Sequence, residues 1–287
     1  MLKMIVVVIL NYNDGKNCLK VANRALENIN IDKAIIVDNC SPDNSYSLLK
    51  KQESENLIVL KTDKNGGFAY GNNFGINYAI KRYNPKIVIT INSDIIIENN
   101  VIDANIDFLE KHKEYGLVSC AIREQNGELS ERPCWSYPSL KDMIMYCGWI
   151  TRKFYKAKKT EIKDCEYMDV DVVRGSFMCF NVQALKLVGG FDENTFLYNE
   201  ENIISQRLKK MGYKVAFLPR YEYFHNHRVS DKKRIVDLSP GLNSGYYYAT
   251  NYGGVKGIKK EILRFCTLVG IGENYMINRI KKHYMKK

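Results

Sequence analysis

Met4-Ile5-Val6-Val7-Val8-Ile9-Leu10 is a continuously apolar, mostly β-branched run, closed by Asn11-Tyr12-Asn13-Asp14-Gly15. Such a run reads as a strand buried on both faces, the kind found in the middle of a parallel sheet. The residues after it support that reading. Asn17–Asn28 carries Cys18, Val21, Ala22, Ala25 and Leu26 at helical spacing. Ala34–Val37, Leu57–Leu60 and Ile87–Ile91 repeat the strand pattern, with helical stretches at Ser45–Glu53 and Tyr70–Tyr83 between them. Strand–helix alternation through short loops predicts an α/β fold with right-handed crossovers and a mainly parallel sheet. Ligands of such sheets bind beyond the carboxyl ends of the strands. The loops after Leu10, Val37, Leu60 and Ile91 therefore matter most, and each is rich in Asn, Asp, Gly or Ser.

The second half is less regular. It predicts a helix over Val101–His112, a strand over Gly116–Cys120 and a strand-like stretch over Val170–Asn181. Helices follow at Val182–Val188 and Glu200–Met211, then a strand over Tyr213–Leu218 stopped by Pro219.

The chain has 287 residues and a formal net charge of +11. The charge is concentrated. Val255–Lys287 holds nine Lys and Arg against Glu261 and Glu273, and Thr151–Lys163 holds six against Glu161. Two basic patches on a near-neutral body point to anionic partners at particular places. No RNP, helix-turn-helix or zinc-finger pattern is present, which argues against nucleic acid. An anionic membrane surface suits the amphipathic C-terminal segment, with a solvated basic tail or a helix packed on the domain as the alternatives. The eight cysteines have no C-x-x-C spacing and read as free thiols of a reducing compartment. No signal peptide and no apolar run of membrane-spanning length is apparent, so the expected location is the cytoplasm, with attachment to the inner face of the membrane as the alternative.

Five motifs carry candidate chemistry. Asn92-Ser93-Asp94 follows the fourth strand, where a carboxylate is placed to hold a hard divalent cation or to cap a turn. Asp38 follows the second strand and can accept hydrogen bonds from a ribose or a base, or can shape a polar turn. Asn65-Gly66-Gly67 and the residues to Asn73 form a glycine-rich entry to a helix that matches neither dinucleotide-binding nor Walker loops. Glu200-Glu201 opens a helix, whose N-terminus favours an ionised carboxylate fit for a general base; acids are also simply common there. His225 and His227, with Ser230 beyond, offer an imidazole for a metal or for packing.

Each signal alone has a plain structural explanation; their order and spacing are distinctive. Val6 through Asn13, Val37-Asp38-Asn39 with Ser41 and Asp43, Asn65 through Gly75, and Asn92-Ser93-Asp94 resemble family 2 glycosyltransferases. Arg174-Gly175-Ser176-Phe177-Met178, Gly189 through Glu193, Phe196 through Glu201, Arg207 and Gly212-Tyr213 continue the likeness over roughly residues 4–230. It is strongest to the rhamnosyltransferase-like branch that builds bacterial surface polysaccharides. The resemblance implies the GT-A fold, a Rossmann-like α/β/α sandwich. Residues 1–98 would be the nucleotide-sugar half, 99–230 the acceptor half, and 231–287 a basic amphipathic extension.

It also implies an inverting transfer from a dTDP- or UDP-linked sugar to a glycan or lipid-linked acceptor, assisted by Mg2+ or Mn2+. Asp94 and His225 would meet the metal. Asn11, Asn13, Asp38, Asn65, Gly67, Asn72, Asn92, Ser93, Asp94 and Arg207 would contact the donor. Glu201 would be the base, with Glu200 as its substitute. The chain departs from the family pattern at Asn92, Glu201 and Ile203, where acids or Asp are usual. Those departures raise the alternative of a non-catalytic nucleotide-sugar-binding or scaffold subunit. A nucleotidylyltransferase is disfavoured, because the loop after the first strand lacks Arg and Lys.

Overall fold

The structure, a computed structural model, describes residues 4–156, 160–226 and 237–284. The first part alternates as expected: β1 (Ile5–Asn11), α1 (Gly15–Leu26), β2 (Lys33–Asp38), α2 (Ser45–Lys50), β3 (Leu57–Lys61), α3 (Gly67–Tyr83) and β4 (Ile87–Ile91). These strands lie in the order β3-β2-β1-β4, all parallel. β1 divides two cores. Ile5, Val7 and Ile9 pack with Cys18 and Ala22 of α1, while Val6 and Val8 pack with Ala69 and Ile76 of α3. Burial on both sides is why this strand is apolar throughout rather than alternating.

The remaining elements are β5 (Ile95–Ile96), α4 (Asn99–Lys111), β6 (Tyr115–Glu124), β7 (Cys134–Trp135), α5 (Leu140–Cys147), α6 (Trp149–Phe154), β8 (Met168–Val170), β9 (Val172–Val173), β10 (Phe177–Asn181), α7 (Val182–Val188), α8 (Glu200–Lys210), β11 (Lys214–His225), α9 (Ser239–Asn251) and α10 (Ile258–Tyr284). The sheet continues β4-β10-β6-β11-β5. β10 is antiparallel to both β4 and β6, whereas β6 and β11 are parallel. The sheet is thus mixed, parallel across β3-β2-β1-β4 and β6-β11 with β10 reversed between them, and helices cover both faces.

Three expectations need correction. The stretch Val170–Asn181 is not one strand but parts of β8, β9 and β10. β6 runs past Cys120 to Glu124. Pro219 does not stop β11. The pairing with β6 jumps from Leu218↔Cys120 to Glu222↔Ala121, so Pro219, Arg220 and Tyr221 bulge out and the strand resumes. A bulge is where a sheet tolerates a residue without an N–H.

The topology fixes where chemistry can occur. β1, β2, β3, β4, β6 and β11 all run the same way. Their carboxyl ends bring Asn11, Asp38, Ile91, Glu124 and His225 to one edge. β10 runs the other way, so its start at Phe177, and Arg174-Gly175-Ser176 before it, reach that same edge.

The C-terminal part is joined to the domain rather than trailing from it. Tyr248 of α9 is fully buried, and Leu242 and Ala249 form a small core with Cys147, Val255 and Leu263. All eight cysteines are free thiols, and burial pushes those of Cys18, Cys120 and Cys179 well above the usual range, which leaves them inert. Among the described residues no helix is long and apolar enough to cross a membrane.

Candidate active site

The loops after β1 and β2 are locked together. The Asn11 amide donates to Asp38 Oδ2 at 2.6 Å and to Ser41 Oγ at 3.2 Å, and the Asn13 N–H donates to Ser41 Oγ. The Ser41 N–H donates to Asp38 Oδ1. Asp38 is buried, so its first task is to shape this corner. A carboxylate offers about four lone-pair positions, and these contacts leave some for a ligand. Asn13 and Cys40 adopt positive φ, of 58° and 57°. The turns are held by the cross-loop bonds rather than by glycine.

Next along the edge lies the glycine-rich entry to α3. Asn65 Oδ1 accepts from the Asn39 amide and from the Gly67 N–H. Gly67 has φ of +88°, and a Cβ there would lie 2.1 Å from the Phe196 carbonyl oxygen. Only glycine permits that approach. It lets the Phe68 N–H donate to the same carbonyl, which brings the segment around Phe196 against the loop after β3. Asn72 is buried one turn into α3, donating to the Phe68 carbonyl.

Asn92-Ser93-Asp94 sits in the middle of the edge. The Ser93 hydroxyl donates to Asp14 Oδ2 at 2.8 Å, which links β4 to the loop after β1. The Asn92 N–H donates to the Ser176 carbonyl. The Asp94 carbonyl accepts from the Asn226 N–H, and its carboxylate lies 3.4 Å from His225 Nε2. Glu124, at the end of β6, stands behind His225: Oε2 is 3.3 Å from Nδ1, and Oε1 accepts from Arg174 at 2.9 Å. Burial works against a charged His225, but Asp94 and Glu124 outweigh it and raise its pKa. Burial would likewise raise Glu124, but Ser130, Arg174 and His225 more than reverse it.

Glu201 reaches the edge from α8. Its carboxylate lies over Gly175, where a Cβ would come within 2.6 Å of Oε1. Gly175 precedes Ser176, which bonds Asn92. The contacts therefore run unbroken from Asp38 through Asn11, Asp14, Ser93, Asn92, Ser176 and Gly175 to Glu201. Before α8, Tyr198 and Asn199 both have positive φ, near 70°. Two successive non-glycine residues there cost on the order of 1–3 kcal/mol each and mark a segment held by its surroundings.

Glu200 differs from its neighbour. It is only 2% exposed, and its Oε1 has no hydrogen-bond partner among the described residues. Burial, then the Glu201 carboxylate, pushes its pKa up to about 8. The expectation of an ionised carboxylate from the helix N-terminus fails here. A helix dipole supplies roughly 0.3–2 kcal/mol, less than the desolvation of a buried carboxylate. Glu201 is also raised by burial, but its own N–H, that of Gly175, and the Arg174 and Arg132 charges oppose the rise. Glu201 faces the edge at Gly175 while Glu200 is sealed from it, so Glu201 is the better placed of the two to meet a substrate hydroxyl.

Arg207 does not join this set. Its guanidinium pairs with buried Asp192 at 3.0 Å, donates to Tyr252 Oη and reaches the Val188 and Gly190 carbonyls. It ties α8 to the residue after α9, and these contacts occupy its guanidinium. His227 and Ser230 lie outside the described residues. Glu124 escaped the sequence reading, because its strand was expected to end at Cys120. The rule that ligands meet carboxyl strand ends would have found it had the strand been followed to its end.

A metal fits the donor set. Mg2+ and Mn2+ usually take one or two carboxylates and complete their shell with water and substrate phosphates. Among the described residues no group of three or more His, Cys, Asp or Glu side chains stands ready as a cage. Asp94 with His225 beside it offers the sparse protein contribution such an ion needs, and imidazole is compatible with Mn2+.

The sequence profile of glycosyl transferase family 2 matches residues 6–188, well over half of the chain. The chain belongs to glycosyl transferase family 2. The rhamnosyltransferase WbbL of Escherichia coli (strain K12) is 28% identical over 233 residues, spanning 77% of this chain and 83% of that one. The N-acetylglucosaminyl-diphospho-decaprenol L-rhamnosyltransferase of Mycobacterium tuberculosis (strain H37Rv) is 25% identical over 238 residues, 77% and 75% of the two chains. The mannosyltransferase PcManGT of Pyrobaculum calidifontis, solved with GDP-Man and Mn2+, superposes with a TM-score of 0.58 at 14% identity, covering 95% of this chain and 73% of that one. At that identity the likeness speaks to the fold, which is GT-A. As a family 2 glycosyltransferase of this fold, the protein takes a nucleotide-sugar donor and works in polysaccharide synthesis with the inverting chemistry typical of the family.

Proposed function

We propose that the protein is a metal-assisted inverting hexosyltransferase, of rhamnosyltransferase type, that uses a dTDP- or UDP-linked donor and a lipid-linked glycan acceptor at a membrane face. The observation that supports this most is the run of contacts from Asp38 to Glu201 along one sheet edge, with Asp94 next in the chain to its member Ser93. Asn11, Asn13, Asp38, Asn65, Gly67 and Asn72 would hold the nucleoside, with Asn92, Ser93 and Asp94 beside the diphosphate.

A divalent cation bound at Asp94 and His225 would supply Lewis-acid stabilisation of the departing diphosphate. Glu124 would hold His225 by its Nδ1 and so set which nitrogen faces the cation. Glu201 would take the proton from the acceptor hydroxyl as that oxygen attacks the anomeric carbon from the face opposite the diphosphate. The Gly175 backbone and Arg174 would keep the Glu201 carboxylate in place and ionised. Much of the rate would come from aligning acceptor, sugar and leaving group. The scaffold-subunit alternative is weakened, because the departures at Asn92 and Glu201 leave a carboxylate at both working positions.

Release of nucleoside diphosphate from a panel of sugar nucleotides, with and without acceptor, tests the reading. Turnover is expected to require Mn2+ or Mg2+ and to fall at least about 100-fold in Asp94→Ala, the scale of loss for a charge-stabilising group. Undiminished turnover with a chelator present would remove the metal from the account.

A further inference from the structure

The two basic segments, far apart in sequence, meet in the fold. The Trp149 N–H at the start of α6 donates to Glu273 Oε2 of α10 at 2.6 Å. α10 itself carries two stripes, one turned inward and one outward. The inner one, Leu263, Thr267, Gly270 and Asn274, is buried, and a Cβ on Gly270 would lie 2.2 Å from the Cys147 carbonyl oxygen, so this stripe packs on α5. The outer one, Ile258, Ile262, Phe265, Val269, Met276 and Ile280, repeats with the same helical period about half a turn round. Every member is exposed, Phe265 by 69%. α6 adds Trp149, Ile150 and Phe154, the last 76% exposed. Soluble surfaces rarely leave an apolar stretch of this length uncovered.

Charge identifies what covers it. Arg152, Lys153 and Lys281 converge with Trp149 and Asn274 around a cavity of about 380 Å³ between α6 and α10. Lys153 Nζ sits 3.5 Å from the centre of the Trp149 ring, which places a cation and an interfacial aromatic side by side. A second copy of the chain would set nine Lys and Arg per 255–287 segment against nine more, with only two acids in each. A surface of anionic lipid meets both demands, apolar and cationic, at once.

We infer that α6 and the outer face of α10 together form a docking surface for an anionic bilayer, with Lys153 of α6 and Lys281 of α10 meeting lipid phosphate groups at its margin. This deepens the reading of a lipid-linked acceptor, although vesicle binding can be measured without any turnover.

Flotation of the full chain with vesicles of phosphatidylcholine alone, or of phosphatidylcholine mixed with phosphatidylglycerol, tests the surface. The wild type is expected to float with the mixed vesicles and to bind neutral ones at least about tenfold less. The double variant Lys153→Glu, Lys281→Glu should weaken binding by at least about 25-fold, since each basic side chain near such a surface is worth roughly fivefold. Phe265→Ser with Met276→Ser should also release the protein, while circular dichroism and donor turnover stay unchanged, because both side chains lie outside the packed core. Equal binding to both kinds of vesicle would overturn the inference. So would failure to bind combined with a dimer in light scattering that Phe265→Ser dissociates. A protein that floats but turns over no sugar nucleotide keeps the docking surface and loses the enzymatic reading; one that turns over donor but never floats does the reverse.

Discussion

Glu200 and Glu201 are adjacent in sequence and opposite in circumstance. One is sealed beneath α8; the other lies over Gly175 with two arginine charges in reach. In the proposed mechanism the proton transfer falls to Glu201 alone. Glu201→Gln should lower kcat by about 100- to 10,000-fold, the range for loss of a general base. Glu200→Gln should keep most of kcat, since the amide fills the same buried space and leaves Glu201 at the edge. A collapse of kcat in Glu200→Gln, with a folded protein, would reverse the assignment.

Glu200 also bears on stability. Its folded pKa of about 8 lies above the ordinary carboxyl value near 4.5. The folded state then binds more protons than the unfolded state between those values, and stability falls as pH rises through that window. The stabilising contribution is complete below about pH 4.5 and gone above about pH 8, of order a few kcal/mol in all. Urea midpoints at pH 6 and pH 8.5 should differ less in Glu200→Gln than in the wild type. An unchanged difference would mean that the buried carboxyl is not the group responsible.

At the scale of elements, the sequence was most legible where one face of the period was decisive. The unbroken run Met4–Leu10 gave β1, and the carboxyl-end rule placed Asn11, Asp38 and Asp94 together before any contact was known. The reading was poorer where tertiary packing overrides local signals. Pro219 reads as a stop, yet β6 holds the chain on both sides of a three-residue bulge. Arg207 reads as an anion-binding side chain, yet Asp192 and Tyr252 claim it. Nothing local in sequence tells that a tyrosine 45 residues away will arrive.

The α8–α9 junction is correspondingly sensitive. Arg207→Met leaves Asp192, 3% exposed on its side chain, without its cation but with the Tyr252, Tyr247 and Asn194 donors. It should cost about 2–4 kcal/mol, toward the lower part of the range for breaking a buried pair. Tyr252→Phe should cost about 1.5–3 kcal/mol, because the hydroxyl bonds both charged partners, Arg207 and Asp192. Chemical denaturation measures both. If Arg207→Met kept full stability but lost donor affinity, Arg207 would belong to the donor site after all.

At the scale of the molecule, the parallel strands decide everything that follows. Six strands running one way deliver side chains from β1, β2, β4, β6 and β11 to one edge, and the reversed β10 adds Arg174-Gly175-Ser176 and, through them, Glu201. No single segment of sequence holds this site; direction and order in the sheet assemble it. The C-terminal helices, expected as an extension, are joined to the same body through α5 and α8, which sets the exposed face of α10 in a fixed relation to that edge.

Electron paramagnetic resonance of Mn2+ with the purified protein and UDP or dTDP tests that assembly most directly, because it counts the ion at the meeting point of Asp94, His225 and the diphosphate. The account predicts one Mn2+ held per chain when nucleoside diphosphate is present, and its loss in Asp94→Ala. Retention of that ion by Asp94→Ala, or its binding with the same affinity when no diphosphate is added, would contradict it.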